Sequence, residues 1–435
     1  MHVTRLTIEN IRSITSFALE FRAEEAAGWH VILGDNGAGK SSVIRSLALI
    51  FSGGSKVSAT RQDWQNWLRA GESEGKIEAS LERADEFDDF LGNIPPPPMS
   101  LAVKLSRVPN MNAQDEVMIS FLGATEAADN TLWSACLGWF SASFGPFRRF
   151  SGGDKQWESV FRGGEYRRVA PHLSAFGEDV ALTEALGWLQ QLHVLALEEQ
   201  GSSPTPTSRS RDAVRDFINQ SGLLPHGAMI SEITSQRVTL EDGEGNKVPI
   251  EQMSDGYRSV LSLTIELIRQ MFAVYGPERA LANIDAEKAV VNLPGVVAID
   301  EIDAHLHPAW QARIGAWFLE RFPNVQFIVT THSPIVCRAA SKGSIWRLPS
   351  PGESDPGGRV LGQDYDRLVS GNILEALNTE YFGEGLERAP EAADKLDRIA
   401  LLNKRKALGE LDADGQAELL ALQEQVPTAA ATIAS

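Results

Sequence analysis

The 435-residue sequence has only two cysteines, Cys136 and Cys337. They stand far apart in no metal-ligand spacing, so neither a disulfide framework nor a zinc ribbon is indicated. Both read as reduced core residues. No apolar run reaches the roughly 18 residues that a membrane helix needs, and the N-terminus lacks a charged-then-apolar leader pattern. The expectation is a soluble cytoplasmic protein with no membrane partner. Positive charge is the minority: Lys and Arg number 40 against 58 Asp and Glu, for a net charge of −18. That argues against a surface given over wholly to nucleic acid. It leaves room for a local basic groove, because net charge says nothing about distribution. No internal repeat is visible. Apolar content of 43% allows a large core, and the length suits two or three packed units.

The most informative stretch is 34–41, Gly-Asp-Asn-Gly-Ala-Gly-Lys-Ser. It fits the phosphate-loop pattern G-x-x-x-x-G-K-[ST] without mismatch. An apolar run at 29–33 predicts a strand before it, and 42–50 predicts a helix after it. Glycines let successive N–H groups turn inward as an anion-binding nest, and the positive end of the helix adds to the attraction. Lys40 is placed to reach the β- and γ-phosphates, and the Ser41 hydroxyl to hold Mg²⁺. The expected nucleotide contacts are Asn36, Gly37, Ala38, Gly39, Lys40, Ser41 and Ser42.

Two later strands complete this motif. The run 296–301, Val-Val-Ala-Ile-Asp-Glu, is an apolar strand that delivers two carboxylates at its C-terminal end, where α/β sheets place their sites. Asp300 suits Mg²⁺, directly or through water, and Glu301 suits activation of the attacking water. The run 327–334 is a second buried strand, ending in Thr330, Thr331 and His332; the histidine is positioned to sense the γ-phosphate. Before the long helix predicted at 257–275 stands 252–259, Gln-Met-Ser-Asp-Gly-Tyr-Arg-Ser. Ser254 is expected to cap that helix, and Gly256 to permit close backbone approach.

Elsewhere, alternation in residues 1–22 predicts a hairpin. Strands are expected at 76–81, 100–107 and 135–144, helices across 178–221, and a hairpin of 233–240 with 247–250 around Asp242 and Gly243. Pro95 to Pro98 read as a stiff extended linker. Residues from about 385 read as a charged helical tail.

Taken together, these residues resemble the ABC-type ATPases of the RecF/SMC group. The phosphate loop, signature loop, acidic strand and histidine strand occur in that group's order, and the opening 6–13 resembles its entry strand. More narrowly, 253–259, 300–308 and 145–149 resemble the ATPase subunits of the Septu and retron anti-phage systems. Asp255 and Arg258 depart from the transporter signature Ser-Gly-Gly-Gln. The resemblance covers roughly 1–52 and 250–350. It implies an α/β P-loop fold of RecF/SMC-head type with an inserted α/β-to-helical region and a short helical C-terminal tail. The expected parts are 1–52 and 250–350 for the ATPase domain, 53–249 for the inserted lid region, and 351–435 for a tail able to dock a partner.

The resemblance further implies ATP and Mg²⁺ as cofactors and a homodimer with composite sites. In that dimer Ser254 and Gly256 face the nucleotide bound to the opposite Lys40, while Asp303 and His305 link the two sites. Arg12 is placed near the base, and Arg148 and Arg149 on the central surface. The expected function is an ATP-hydrolysing sensor or regulator of an anti-phage complex controlling a separately encoded nuclease, of HNH type. About 85 residues follow the core, too few for a fused nuclease domain; His305 and His307 lack further ligands for a metal site. One alternative is a RecF-like repair ATPase that binds DNA directly, with Arg148, Arg149, Arg162, Arg167 and Arg168 as its local basic residues. Another is a scaffold stabilised by ATP that barely hydrolyses it.

Overall fold

The computed structural model describes residues 1–54, 57–82, 87–88, 99–109, 115–123, 139–147, 168–177, 183–199, 204–350, 352, 356–377, 379, 381–382 and 390–425. The chain divides into two compact units, Met1–Ser370 and Gly371–Ser435.

In the first unit the long N-terminal strand His2–Ile11 pairs antiparallel with Ile14–Glu20 on one side and Glu74–Glu82 on the other. Met99–Val108 and Glu116–Gly123 extend this sheet to five strands. A second sheet of six strands runs in the order Gly358–Arg359, Gly343–Arg347, Trp29–Leu33, Val325–Thr330, Gly295–Ile299, Ser141–Phe144. All its neighbours are parallel except the Gly358–Arg359 edge. Parallel strands are covered on both faces, so their sequences read as unbroken apolar runs.

The helix Lys40–Ser52 lies between the two sheets. A helix with one wet face would alternate, but this one buries Val43, Ile44, Leu47, Ala48, Leu49, Ile50 and Phe51 around its circumference, as a helix enclosed on all sides must. Its apolar side chains share one core with Leu6 and Ile8 of the antiparallel sheet and with Ile32, Ala298 and Ile328 of the parallel sheet. A polar residue pins the sheets together. Gln326 is fully buried near the start of the strand Val325–Thr330, and its amide accepts from Val3 N–H at 2.7 Å and donates to Val3 C=O at 2.9 Å. A buried side-chain amide survives because it finds such partners.

Two buried histidines are held as neutral rings. His172 sits between Ser143 Oγ at 2.9 Å and Ser141 Oγ at 3.2 Å on the edge strand, and burial pushes its pKa down to about 3. His30 Nε2 meets the Ala26 carbonyl at 3.1 Å and Nδ1 meets Ser344 Oγ at 2.8 Å; burial lowers its pKa to about 4. Since a carbonyl only accepts, Nε2 carries the proton and Nδ1 accepts from Ser344. Trp346 Nε1–H donates to the same hydroxyl at 2.7 Å.

The hairpin at the N-terminus, the phosphate-loop strand and helix, the two central strands and the helix Asp255–Tyr275 all stand where the sequence put them. Three expectations change. Residues 233–240 are not one strand: Met229–Ile233 and Val238–Glu241 are separate strands joined by a turn in which Thr234 and Arg237 hydrogen-bond each other. The region 53–249 supplies three strands to the antiparallel sheet and the Ser141–Phe144 edge to the parallel one. Beyond residue 350, Gly358–Arg359 adds an edge strand, and Arg359 binds Glu25 through two bonds of 2.6 and 2.8 Å. Residues 95–98, 131–138 and 201–203, with Cys136, lie outside the described residues.

The second unit is built around a helical hairpin, Pro390–Ala407 and Ala413–Gln425. Ile399, Leu402 and Leu419 form its small core, and Arg398 pairs with Glu418 through bonds of 2.7 and 2.8 Å.

Candidate functional site

Parallel register aligns the C-terminal ends of four strands on one edge: Ile32 lies beside Thr330, Val329 beside Ile299, and Ile299 beside Phe144. An open cleft of about 360 Å³ lies there, lined by Arg12, Ser13, Asp35, Asn36, Gly37, Gly39, Lys40, Ser41, Ser42, Glu301 and His332. The topology therefore joins residues as far apart in sequence as Arg12 and His332.

The phosphate loop turns on two glycines. Gly37 has φ 83° with open space around it, so backbone conformation alone selects glycine there. Gly39 has φ 110°, and a Cβ would lie 2.7 Å from Ile14 Cγ1 and 2.9 Å from Ser13 Oγ. Conformation and space both exclude a side chain. Ala38 is buried beneath the loop and does not line the cleft. Lys40 Nζ donates to Gly34 O at 2.6 Å and Asp35 O at 3.0 Å. Burial lowers its pKa, and Asp300, Glu301, Asp35 and Asp303 oppose that shift by favouring the cation.

The acidic strand ends in a cross-strand network. Asp300 is buried, and its Oδ1 accepts from Thr330 Oγ1 at 2.6 Å. Glu301 N–H donates to the same hydroxyl at 2.7 Å. Glu301 itself adopts φ 45°, unusual for a residue with a Cβ. Asp303 Oδ1 accepts from Thr331 Oγ1 at 2.6 Å and from His332 N–H at 3.3 Å, which ties the loop after the acids to the histidine loop. Thr330 is a positioning group that the motif reading left without a role; Asp303, expected to link the two sites, also anchors the histidine loop.

A serine hydroxyl and a carboxylate, Ser41 and Asp300, are hard oxygen donors of the kind Mg²⁺ takes, leaving positions for water and phosphate oxygens. No group of three His, Cys, Asp or Glu side chains that could hold a metal occurs among the described residues. By donor chemistry Ser41 and Asp300 fit an ion that also takes oxygens from a nucleotide. His307 has other work: its Nδ1 accepts from Ala309 N–H at 3.2 Å and caps the helix Pro308–Arg321.

Arg12 stands at the cleft rim with its guanidinium 4.9 Å from the centre of the Trp67 ring. Burial and then Arg45 lower its pKa to about 10, so it stays charged at neutral pH.

Ser254 and Gly256 do not line this cleft. They form a second cluster at the start of Asp255–Tyr275. Ser254 occupies the N-cap position without a side-chain capping bond, so the expected hydroxyl cap is not made. A Cβ on Gly256 would lie 2.8 Å from His305 O, and Tyr257 packs edge-on against Trp310. Arg258 donates to Asp255 and, at 2.9 Å, to Glu251 O, bracing the loop from within. His305 and Asp303 thus sit in one short loop that touches the signature cluster at one end and the histidine loop at the other.

Arg168 is buried against Trp139, 4.2 Å from the ring centre, and donates to Trp139 O at 3.2 Å. It is a core residue, not part of a basic surface. Arg148, Arg149, Arg162 and Arg167 lie outside the described residues. No helix among the described residues is long and apolar enough to cross a membrane.

A family described as "AAA domain, putative AbiEii toxin, Type IV TA system" matches residues 154–338, and another described as an AAA domain matches 5–90. The chain is 24% identical to Septu protein PtuA of Bacillus mycoides (strain KBAB4), over 92% of this chain and 47% of that protein. It is 36% identical to the retron Ec83 probable ATPase of Escherichia coli, over 27% of this chain and 21% of that protein. It is 29% identical to Septu protein PtuA of Bacillus thuringiensis, over 31% of this chain and 32% of that protein. The chain therefore spans less than half the length of each of these relatives. Among solved structures, an SMC head bound to the C-winged helix domain of ScpA matches with TM-score 0.46 and 13% identity, covering 83% of this chain and 98% of that one. The phosphate loop, acidic strand and histidine strand stand on one parallel sheet edge, as a P-loop nucleotide site requires, and the chain is related to the Septu and retron ATPases of anti-phage systems.

Proposed function

We propose that the chain binds Mg-ATP, closes each site against a second copy, hydrolyses the nucleotide, and controls a separately encoded nuclease of HNH type in an anti-phage complex. The observation that carries this reading is the cleft in which Lys40, Ser41, Glu301 and His332 meet, with Ser254 and Gly256 held apart from it. A signature loop standing away from its own chain's nucleotide cleft suits contact with the nucleotide of a second copy.

Each side chain has a task. The N–H groups of the loop and of the helix start hold the phosphates. Lys40 moves from the Gly34 and Asp35 carbonyls to the β- and γ-phosphate oxygens. Mg²⁺ held by Ser41 and Asp300 would neutralise charge that develops on the phosphate oxygens. Glu301 accepts a proton from the attacking water, and His332 contacts the γ-phosphate. Ser254 of one copy closes the site of the other.

The Septu and retron relatives support an anti-phage setting. The burial of Arg168 removes one support from the alternative in which the chain itself grips DNA. The test is co-expression with the neighbouring reading frame, followed by a pull-down and nuclease assay with and without ATP. A stoichiometric nuclease whose activity changes with ATP supports the proposal. A dimer alone, binding DNA in a salt-sensitive manner in ATP, refutes it and favours repair.

A further inference from the structure

We infer that Thr330 is the positioning residue that sets the geometry of the acidic pair. The inference rests on the ATPase reading above and names what holds its parts in place. Thr330 ends the strand Val325–Thr330 and is fully buried. A hydroxyl has one proton to give and two lone pairs to accept with. Here the proton goes to Asp300 Oδ1 at 2.6 Å, while a lone pair accepts Glu301 N–H at 2.7 Å. The carbonyl of the same residue accepts Ile302 N–H at 3.0 Å. One residue of the histidine strand therefore grips three consecutive residues at the end of its neighbour.

Glu301 at φ 45° is in the left-handed region, which residues with a Cβ occupy only when their surroundings enforce it. Through that bend Asp300 stays at the buried edge while Glu301 turns to line the cleft with His332. A hydrogen bond from a hydroxyl to a carboxylate is among the stronger neutral-to-charged kinds, so Asp300 is held in one orientation. His332 follows two residues later, and its N–H is anchored on Asp303. The Thr330 hydroxyl thus joins the carboxylate suited to the metal, the backbone of the general base and the strand that carries the histidine.

Thr330→Val keeps the branched shape and removes the hydroxyl; Thr330→Ser keeps the hydroxyl and removes the methyl. Calorimetry reads ATP affinity with and without Mg²⁺, and steady-state kinetics read kcat and KM. For Thr330→Val, affinity without Mg²⁺ stays at the wild-type value and the gain on adding Mg²⁺ shrinks. Its kcat falls about tenfold to a hundredfold, the scale of a small misplacement of reacting groups, with KM little changed. Thr330→Ser recovers both the gain and the rate. If Thr330→Val does not fold, Thr330→Ala takes its place with the same expected split. A hydroxyl-free variant with wild-type Mg²⁺ response and kcat overturns the inference, as does a serine variant as impaired as valine. A wild-type chain that binds Mg-ATP without turnover sinks the hydrolysis reading alone, and the Mg²⁺-dependent affinity of the variants still decides on Thr330.

Discussion

Lys40 and Glu301 face each other's charge across the cleft, and their substitutions separate binding from chemistry. Lys40→Ala removes the ammonium opposite the phosphates, so calorimetry with ATP should give no measurable heat; tight binding in that variant would place the site elsewhere. Glu301→Gln keeps the shape and loses the base. ATP binding should persist while hydrolysis slows by about 10²–10⁴-fold, the usual worth of a general base. An unchanged rate takes that role from Glu301. The buried histidines predict the acid side of stability. Unfolded histidine titrates near 6.5, whereas His172 and His30 are pushed down to about 3 and about 4. Above about pH 6.5 both states are neutral and their contribution is fully present. As pH falls toward 4 the unfolded chain takes up protons that the folded chain refuses, and stability drains away. Scanning calorimetry should give a lower melting temperature at pH 5 than at pH 7; equal values would mean that these rings protonate in place.

At the scale of elements, close packing predicts which small residues are fixed. Gly315 lies in the helix Pro308–Arg321, where a Cβ would come within 2.4 Å of Ala339 Cβ and 3.0 Å of Trp29 Cε2. Gly315→Ala must push this helix off its neighbours and should cost about 1–3 kcal/mol, as overpacking does, read as a lowered midpoint in denaturant. An unshifted midpoint would mean that the contact relaxes freely. The same elements explain what could be read from the sequence. The strand before the phosphate loop and the two central strands are buried on both faces, so their apolar runs are continuous and unambiguous. The cleft was equally legible, because the phosphate loop and the two strand-end motifs each carry chemistry in their spacing. The split of 233–240 was hidden, since Ile233 and Val238 are apolar on both sides of a turn whose bonds come from Thr234, a residue common in strands. The membership of Glu74–Glu82 and Met99–Val108 in the core sheet was hidden too, because pairing partners lie far along the chain and alternation does not name them. Thr330 was read only as part of a strand; its use as a polar link depends on the neighbouring strand's register, which no local pattern encodes.

For the whole molecule, the separation of the signature cluster from the cleft makes a concrete prediction about mass. In Glu301→Gln protein, ATP should double the particle mass measured by light scattering, and adding Ser254→Arg should abolish the doubling. Retention of the doubling in the double variant would sink the composite site. The thiol of Cys337 offers a way to time such events. It is fully buried just after the histidine loop, with its Sγ 4.0 Å from Ser333 O, and burial followed by Asp303 holds its pKa above the usual thiol range. A thiolate is the species that reacts, so the folded state shields this group twice, by access and by protonation. With Cys136 replaced by serine, disulfide-exchange reagents would colour the solution only as fast as the chain breathes open around the histidine loop. Cys337 then becomes a built-in clock, and a nucleotide that braces this loop should slow it in proportion to its occupancy.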